Sequence, residues 1–308
     1  MSPDELVVGL AGAVRAVVAP ALGTGREVVG TTDSGDATFA LDLVAEQATR
    51  DFLARTRFPA ALFSEDGGLV GDPDAEWLLV VDPIDGTRPA KAGLESCCVS
   101  VALAPNRPGA CVGDVTHAAI HELRHDRLFT AARGGGTRLF EAGVERAFSP
   151  ARRRALAGAA MSIEFTGRPI VPLATVLEEI IDGGSLAGGM FAFASTTFGL
   201  TRLVLGQLDL HVDVADRLLR ERPNLEAECR RAGCGNVVAL LAYDIAGVVL
   251  VAQEAGLVVT DAYGASLDDQ PLTDVSLAGH RSCIAAATPE LHAQVVAAID
   301  RGLARLSR

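Results

Sequence analysis

Several things are scarce in this chain of 308 residues, and each scarcity excludes something. Lysine occurs once, as Lys91, so the 27 basic residues are nearly all arginine, a bias consistent with a GC-rich genome; with 39 acidic residues the net charge is −12. A surface of that sign repels nucleic acid and anionic membrane, although a small phosphate ester accompanied by cations can still approach. Aromatics make up 5% of the chain while hydrophobic residues reach 49%, dominated by Ala, Val and Leu, with Gly also abundant. That balance suits a tightly layered α/β protein and excludes a disordered or fibrous one. The six cysteines (97, 98, 111, 229, 234 and 283) show no CxxC pair or regular framework, as expected of free thiols in the cytoplasm. Asp4 and Glu5 stand where a signal peptide carries positive charge. The longest apolar stretch, 237–259, is interrupted by Asp244 and Glu254, so it reads as a buried helix and strand rather than a membrane span.

The length suits one large domain or two intimate ones. Pro150 and the basic cluster "ARRRA" mark a boundary, giving units 1–147 and 148–308. In the first, 4–19 and 38–56 read as helices, and Asp42 and Glu46 share one face of the second. "ALFSEDGG" is a short strand running into an acidic turn, and "WLLVVD" is a strand apolar on both faces. "CCVSVALA" and "LFTAA" supply further strands, with a turn at Gly134–Gly136. In the second unit a helix near 173–182 is expected to stop at Gly183 and Gly184. "STTFGLTRLVLG" opens a helix with three hydroxyl residues, "DLHVDV" alternates as a strand, and "AYDIAGVVLVAQEAG" is an apolar helix with an acid near its start.

The informative feature is a set of acids at the ends of hydrophobic elements. Glu65 and Asp66 follow one strand, Asp82 and Asp85 another, and Asp244 opens an apolar helix. Gathered carboxylates repel and raise one another's pKa unless a cation intervenes. Hard divalent ions such as Mg²⁺ suit a few carboxylates plus water, and no competing Cys/His cluster is apparent. Two such ions can hold a phosphate and generate hydroxide. Each piece alone has a plainer reading: Asp-Gly-Thr as a turn, Asp244 as a helix cap, Ser64–Gly67 as a loop.

Together, Glu65 with Asp66, "DPIDGT" (82–87) and "YDIAG" (243–247) followed by "EAG" resemble the inositol monophosphatase family. The resemblance implies a layered α-β-α-β-α fold and a Mg²⁺-dependent phosphomonoesterase using two to three ions. It implies that Glu65, Asp82 and the Ile84 carbonyl hold one ion. Asp82, Asp85 and Asp244 hold a second, with a weaker third beside Glu65. It pairs Thr87 with Asp42 to activate the attacking water, and gives the Gly86 and Thr87 amides to phosphate. Substrate hydroxyls fall to Asp85, Ala194, Ser195, Thr196 and Asp213. From the sequence, Arg217, four residues after Asp213, suits a second phosphate or a carboxylate. A homodimer is the family's habit. Departures from the family pattern are Pro89-Ala90 after Arg88, Asp66 in place of a second glutamate, and Tyr243 in place of tryptophan. They leave the ester open among inositol phosphate, fructose 1,6-bisphosphate, 3′-phosphoadenosine phosphate and histidinol phosphate.

Other readings compete. A haloacid-dehalogenase phosphatase needs its two aspartates two apart, and here they stand three apart. His117, His121 and His125 would stack as a metal site on a helix, but the family register and Arg124 and Arg127 favour a solvated loop. Cys229 and Cys234 are expected to be unpaired thiols. Lys91 is either solvated or reaches an anionic substrate from a loop. The stretch 214–240 is expected to be a lid or dimer segment, with 224–232 packed over the pocket. A silent binding protein of the same fold would be expected to lack one of the acids, and none is missing.

Overall fold

The computed structural model describes residues 1–24, 27–31 and 37–306. In the first half the elements are α1 (Pro3–Val18), β1 (Val28–Thr31), β2 (Ala37–Phe39), α2 (Ala40–Thr56), β3 (Ala60–Ser64), β4 (Gly68–Val70), β5 (Trp77–Asp85), α3 (Thr87–Ala92), β6 (Cys98–Pro105), β7 (His117–Glu122), β8 (Arg127–Ala132), β9 (Gly136–Glu141) and β10 (Val144–Arg146). The second half holds β11 (Met161–Ile163), α4 (Ile170–Gly184), β12 (Met190–Phe191), α5 (Thr196–Val204), β13 (Leu210–Asp213), α6 (Ala215–Glu221), α7 (Glu226–Ala232), α8 (Ala242–Glu254), β14 (Val258–Thr260), β15 (Cys283–Ala286) and α9 (Pro289–Arg305). β1 and β2 form a small ribbon of their own.

Two larger sheets organise the chain, one of eight strands ordered β10-β9-β8-β7-β6-β5-β3-β4 and one of five ordered β12-β11-β13-β15-β14. The central strands β5 and β6 are mainly apolar because both their faces are covered, whereas the edge strands β10 and β12 are exposed. Along β5, Leu79 and Val81 pack with Leu6, Leu10 and Leu41 of α1 and α2, while Leu78 and Val80 pack with Ile245 and Val249 of α8. In the smaller sheet Cys283 and Ala285 face that same central helix layer, and Ile284 and Ala286 face Leu173, Val176 and Val295 of α4 and α9. The order is helices, sheet, helices, sheet, helices, the five-layer stack expected.

The expected boundary at 147/148 falls in a stretch (147–160) with neither strand nor helix. One apolar cluster nevertheless crosses it, joining Phe63 and Ala102 to Leu200 and Val248. Gly247 makes the close approach of α8 feasible, since a Cβ there would stand 2.9 Å from the Ser100 hydroxyl.

Some of these expectations hold and others need correction. α4 spans Ile170–Gly184, so it stops at the expected glycine pair, with Leu173, Val176, Leu177 and Ile180 as its buried stripe. β13 is a strand as expected, buried on both faces: Leu210 and Val212 join the core beside α4 and α9, while His211 and Asp213 take Ser162 and Arg168 as polar partners. His117 and His121 lie on β7, not in a solvated loop, and each ring faces an acid: Asp4 at 4.0 Å and Asp126 at 2.9 Å. Cys229 is buried and Cys234 exposed, both free. Lys91 belongs to α3, where its ammonium lies 3.6 Å above the Phe39 ring. Among the described residues no helix is long and apolar enough to cross a membrane.

Candidate active site

The aspartates of β5 owe their arrangement to a break in register. Asp82 pairs with Ser100 and Asp85 with Cys98, so three steps on β5 match two on β6. The extra residue is a bulge, and it brings two side chains three apart onto the same side of the strand. Pro83 sits within it, where a missing N–H is tolerated. Gly86 then turns the chain at φ 91°, with no room for a Cβ because the Ser96 carbonyl oxygen would be 2.4 Å away. Thr87 starts α3 directly after it.

Each remaining acid is placed by its own element. Asp42 lies in the first turn of α2 and takes the Phe39 N–H at 2.7 Å. One turn later Glu46 receives the Ser64 hydroxyl at 2.8 Å, which fixes the end of β3 just before Glu65. Asp244 lies in the first turn of α8 and accepts the Leu241 N–H at 2.6 Å. The helix-capping reading of Asp244 therefore holds together with the site reading.

Glu65, Asp82, Ile84, Asp85, Gly86, Thr87, Ala194, Ser195, Thr196 and Asp244 all line one cavity of about 100 Å³. Asp82 is pushed well above the usual carboxylate range, first by burial and then by Glu65, Asp85 and Asp244. Asp85 is raised by burial, against hydrogen bonds from Thr197 and Ser195 that favour its charge. Burial lifts Asp42 to about 6, opposed by the Phe39 amide and by Thr87 and raised further by Asp66. Its Oδ1 is buried without a hydrogen-bond partner. The Thr87 hydroxyl beside it donates to the Ile84 carbonyl at 3.0 Å.

This donor set fits a hard divalent cation: clustered carboxylate oxygens that repel one another, a backbone carbonyl, and no sulfur or imidazole among the acids. Among the described residues no three such groups stand close enough to enclose an ion as they are. The fit lies in charge and donor type. Ala194, with φ 53°, is a non-glycine residue in the left-handed region at the cavity wall.

The Inositol monophosphatase family model matches residues 4–303. The chain belongs to the inositol monophosphatase family. Among its relatives, the Fructose-1,6-bisphosphatase/inositol-1-monophosphatase of Methanothermobacter thermautotrophicus is 26% identical over 306 residues, covering 96% of this chain and 95% of that protein. Nus factor SuhB of Xylella fastidiosa is 34% identical over 128 residues, 42% of each chain. The crystal structure of extragenic suppressor protein suhB from Bartonella henselae superposes with a TM-score of 0.72 at 19% identity, covering 97% of this chain and 98% of that one. That likeness is one of fold.

As a member of this family, the chain departs from the expected substrate residues in three places. Asp213 does not line the cavity; it is fully buried behind Arg168, which takes its carboxylate. Arg217 points elsewhere, because α6 begins after Asp213 and turns it toward Glu221, Asp300 and the Ala262 carbonyl. The part of 214–240 that reaches the cavity is 237–240, not 224–232. Cys229 of α7 instead lines a separate small cavity with Leu218, Val238 and the 167–169 turn.

Four polar or charged lining residues were not anticipated: Glu164, Thr166, Arg168 and His280. Glu164 carries the same signature as Asp82, an acid at the end of a buried strand, "MSIE". Burial lifts its pKa to about 7, against the pull of Arg168.

Proposed function

We propose that the protein is a Mg²⁺-dependent phosphomonoesterase that hydrolyses a small sugar, cyclitol or nucleoside phosphate by direct attack of water. The observation that carries this reading is the convergence of Glu65, Asp82, Asp85 and Asp244, from three elements, on one cavity that Thr87 also lines, with Asp42 interacting with Thr87 from outside the lining. Glu65, Asp82, Asp85, Asp244 and the Ile84 carbonyl would hold Mg²⁺. When bound, such ions neutralise phosphate charge and make water acidic enough to attack near neutral pH.

The chain's own residues do the rest. Asp42 offers an unpartnered buried oxygen beside the Thr87 hydroxyl. Ionised, it accepts that hydroxyl's proton in a hydrogen bond and leaves the Thr87 oxygen able to draw a proton from the attacking water. The Gly86 and Thr87 amides, at the turn into α3, receive phosphate oxygens. The first turn of α5 steadies Asp85 from the opposite wall. Retention of every acid favours catalysis over a purely binding role, since a binding protein has no use for a proton acceptor next to a cation site.

A phosphate-release panel over inositol 1-phosphate, fructose 1,6-bisphosphate, 3′-phosphoadenosine 5′-phosphate and histidinol phosphate, with and without Mg²⁺, tests the reading. Release from at least one, only with Mg²⁺, is expected; none from any ester rejects it. A homodimer is the associated expectation, checked by light scattering.

A further inference from the structure

Beyond the carboxylate cluster, the cavity wall carries two buried side chains of opposite sign, each with an atom left over. Glu164 follows β11, is 5% exposed, and keeps Oε1 buried without a hydrogen-bond partner. Arg168 is 8% exposed; it donates through Nη2 to Asp213 and through Nη1 to the Thr166 carbonyl, while its Nε is buried and unpartnered. Both residues line the same cavity as the metal-site acids. Buried polar atoms are almost always paired, so an orphan acceptor and an orphan donor on one wall point to a ligand that completes both.

We propose that Glu164 and Arg168 are the specificity pair of this site. Glu164 accepts from a hydroxyl or ammonium group on the far side of the leaving alcohol, and Arg168 donates to a neutral acceptor beside it. The substrate is therefore a monophosphate whose distal end is not anionic. This deepens the phosphatase reading above and rests on it.

An arginine in a phosphatase pocket invites the opposite conclusion, that it holds a second phosphate. The charges around it argue against that. Arg168 is already neutralised by Asp213 in a pair whose side chains are 5% and 0% exposed. Burial works against the Arg168 charge, but Asp213 and then Glu164 hold it on. With Glu164 ionised, the trio carries a net negative charge. Asp85 and Asp244 of the same cavity add negative charge near Glu164 and Arg168, and His280, which also lines it, is held toward its neutral form, chiefly by burial. Arg88 also lines the cavity but is exposed, where solvent screens it. A second phosphate would meet an uncompensated carboxylate, and drawing Arg168 toward it would strip Asp213 of its buried partner. Exclusion of this kind is specificity by repulsion.

The test is kcat/KM with Mg²⁺ for inositol 1-phosphate and for fructose 1,6-bisphosphate, in the wild type and three variants. The wild type should favour the monophosphate by at least about tenfold, the worth of one hydrogen bond to a charged group. Glu164→Gln should shrink that preference by about tenfold or more, raising KM for the monophosphate and lowering it for the bisphosphate. Glu164→Asp keeps the charge but withdraws it, so it should raise KM for the monophosphate while still excluding the bisphosphate. Arg168→Lys should weaken the monophosphate without admitting the bisphosphate. Thermal unfolding of each variant checks the fold, and the wild type and Glu164→Asp decide the matter if another fails to fold. A wild type that prefers the bisphosphate, a Glu164→Asp that admits it, or folded variants that slow both esters equally would overturn the proposal. If the wild type also leaves p-nitrophenyl phosphate intact, the phosphatase reading falls with it; turnover of that ester separates the two failures.

Discussion

The backbone N–H of Thr197 donates to Oδ2 of Asp85 at 2.6 Å, across 112 positions of sequence. The Ser195 hydroxyl donates to the same oxygen at 2.9 Å. An acid at the end of β5 is thus held by the first turn of a helix from the other half of the chain. The position of one proposed metal ligand therefore depends on both halves being docked.

Asp85→Asn keeps the carbonyl oxygen that accepts both bonds and removes the charge. Turnover should fall on the order of a thousandfold, because a negative ligand is lost from the cation site. Stability should hold or rise, since burial already works against that charge. Activity within tenfold of wild type would remove Asp85 from the site.

Gly86→Ala should damage fold and activity together. The position has φ 91°, and a Cβ would meet the Ser96 carbonyl oxygen at 2.4 Å. The backbone strain alone costs about 1–3 kcal/mol. Denaturant unfolding at wild-type stability would show that the turn relaxes freely.

Asp42 and Thr87 should act as one unit. Asp42→Asn and Thr87→Ala should each slow turnover by roughly a hundredfold, and the double variant by little more than either. With Asp42 at about 6, its proton-accepting form is lost as pH falls through that value. The wild-type rate should therefore drop on the acid side near pH 6, and the residual activity of Asp42→Asn should lack that limb. Additive losses, or an unchanged acid limb in Asp42→Asn, would separate the two residues.

Glu164 predicts a stability effect with a defined sign. Its pKa rises on folding from 4.5 to about 7, so the folded state resists its ionisation. Below pH 4.5 this costs nothing; the penalty grows between pH 4.5 and 7 and is complete above. Glu164→Gln should thus gain on the wild type as pH rises, by up to about 3 kcal/mol. Chemical unfolding at pH 5 and pH 8 checks it, and a difference between the two proteins that stays constant with pH would contradict the burial argument.

What the sequence disclosed and what it hid follow from range. Asp82, Asp85 and Asp244 were legible because each sits at the end of an apolar run, a local pattern visible along the chain. The five layers came from the family resemblance alone; the apolar run of "WLLVV" showed only that this strand is covered on both faces. Arg168 was not legible, because its partner Asp213 lies 45 positions away and nothing local links them. Arg217 was mistaken for a pocket residue on proximity alone. The chain leaves β13 at Asp213 and turns into α6 at Ala215, which takes Arg217 to Asp300 and the Tyr263 ring instead. The stretch 224–232 misled similarly: it holds α7, but the chain reaches the cavity only after it, at Val237.

The central claim is that clustered carboxylates make phosphate hydrolysis depend on a divalent cation, with Asp82 at their centre. The most direct measurement is the initial rate of phosphate release from a hydrolysed ester as Mg²⁺ is titrated, in the wild type and in Asp82→Asn. The wild type should sit at background without Mg²⁺ and rise to saturation as it is added, while Asp82→Asn stays near background throughout. Release by the wild type in the presence of a chelator, or an Asp82→Asn titration that overlays the wild type, would contradict the account.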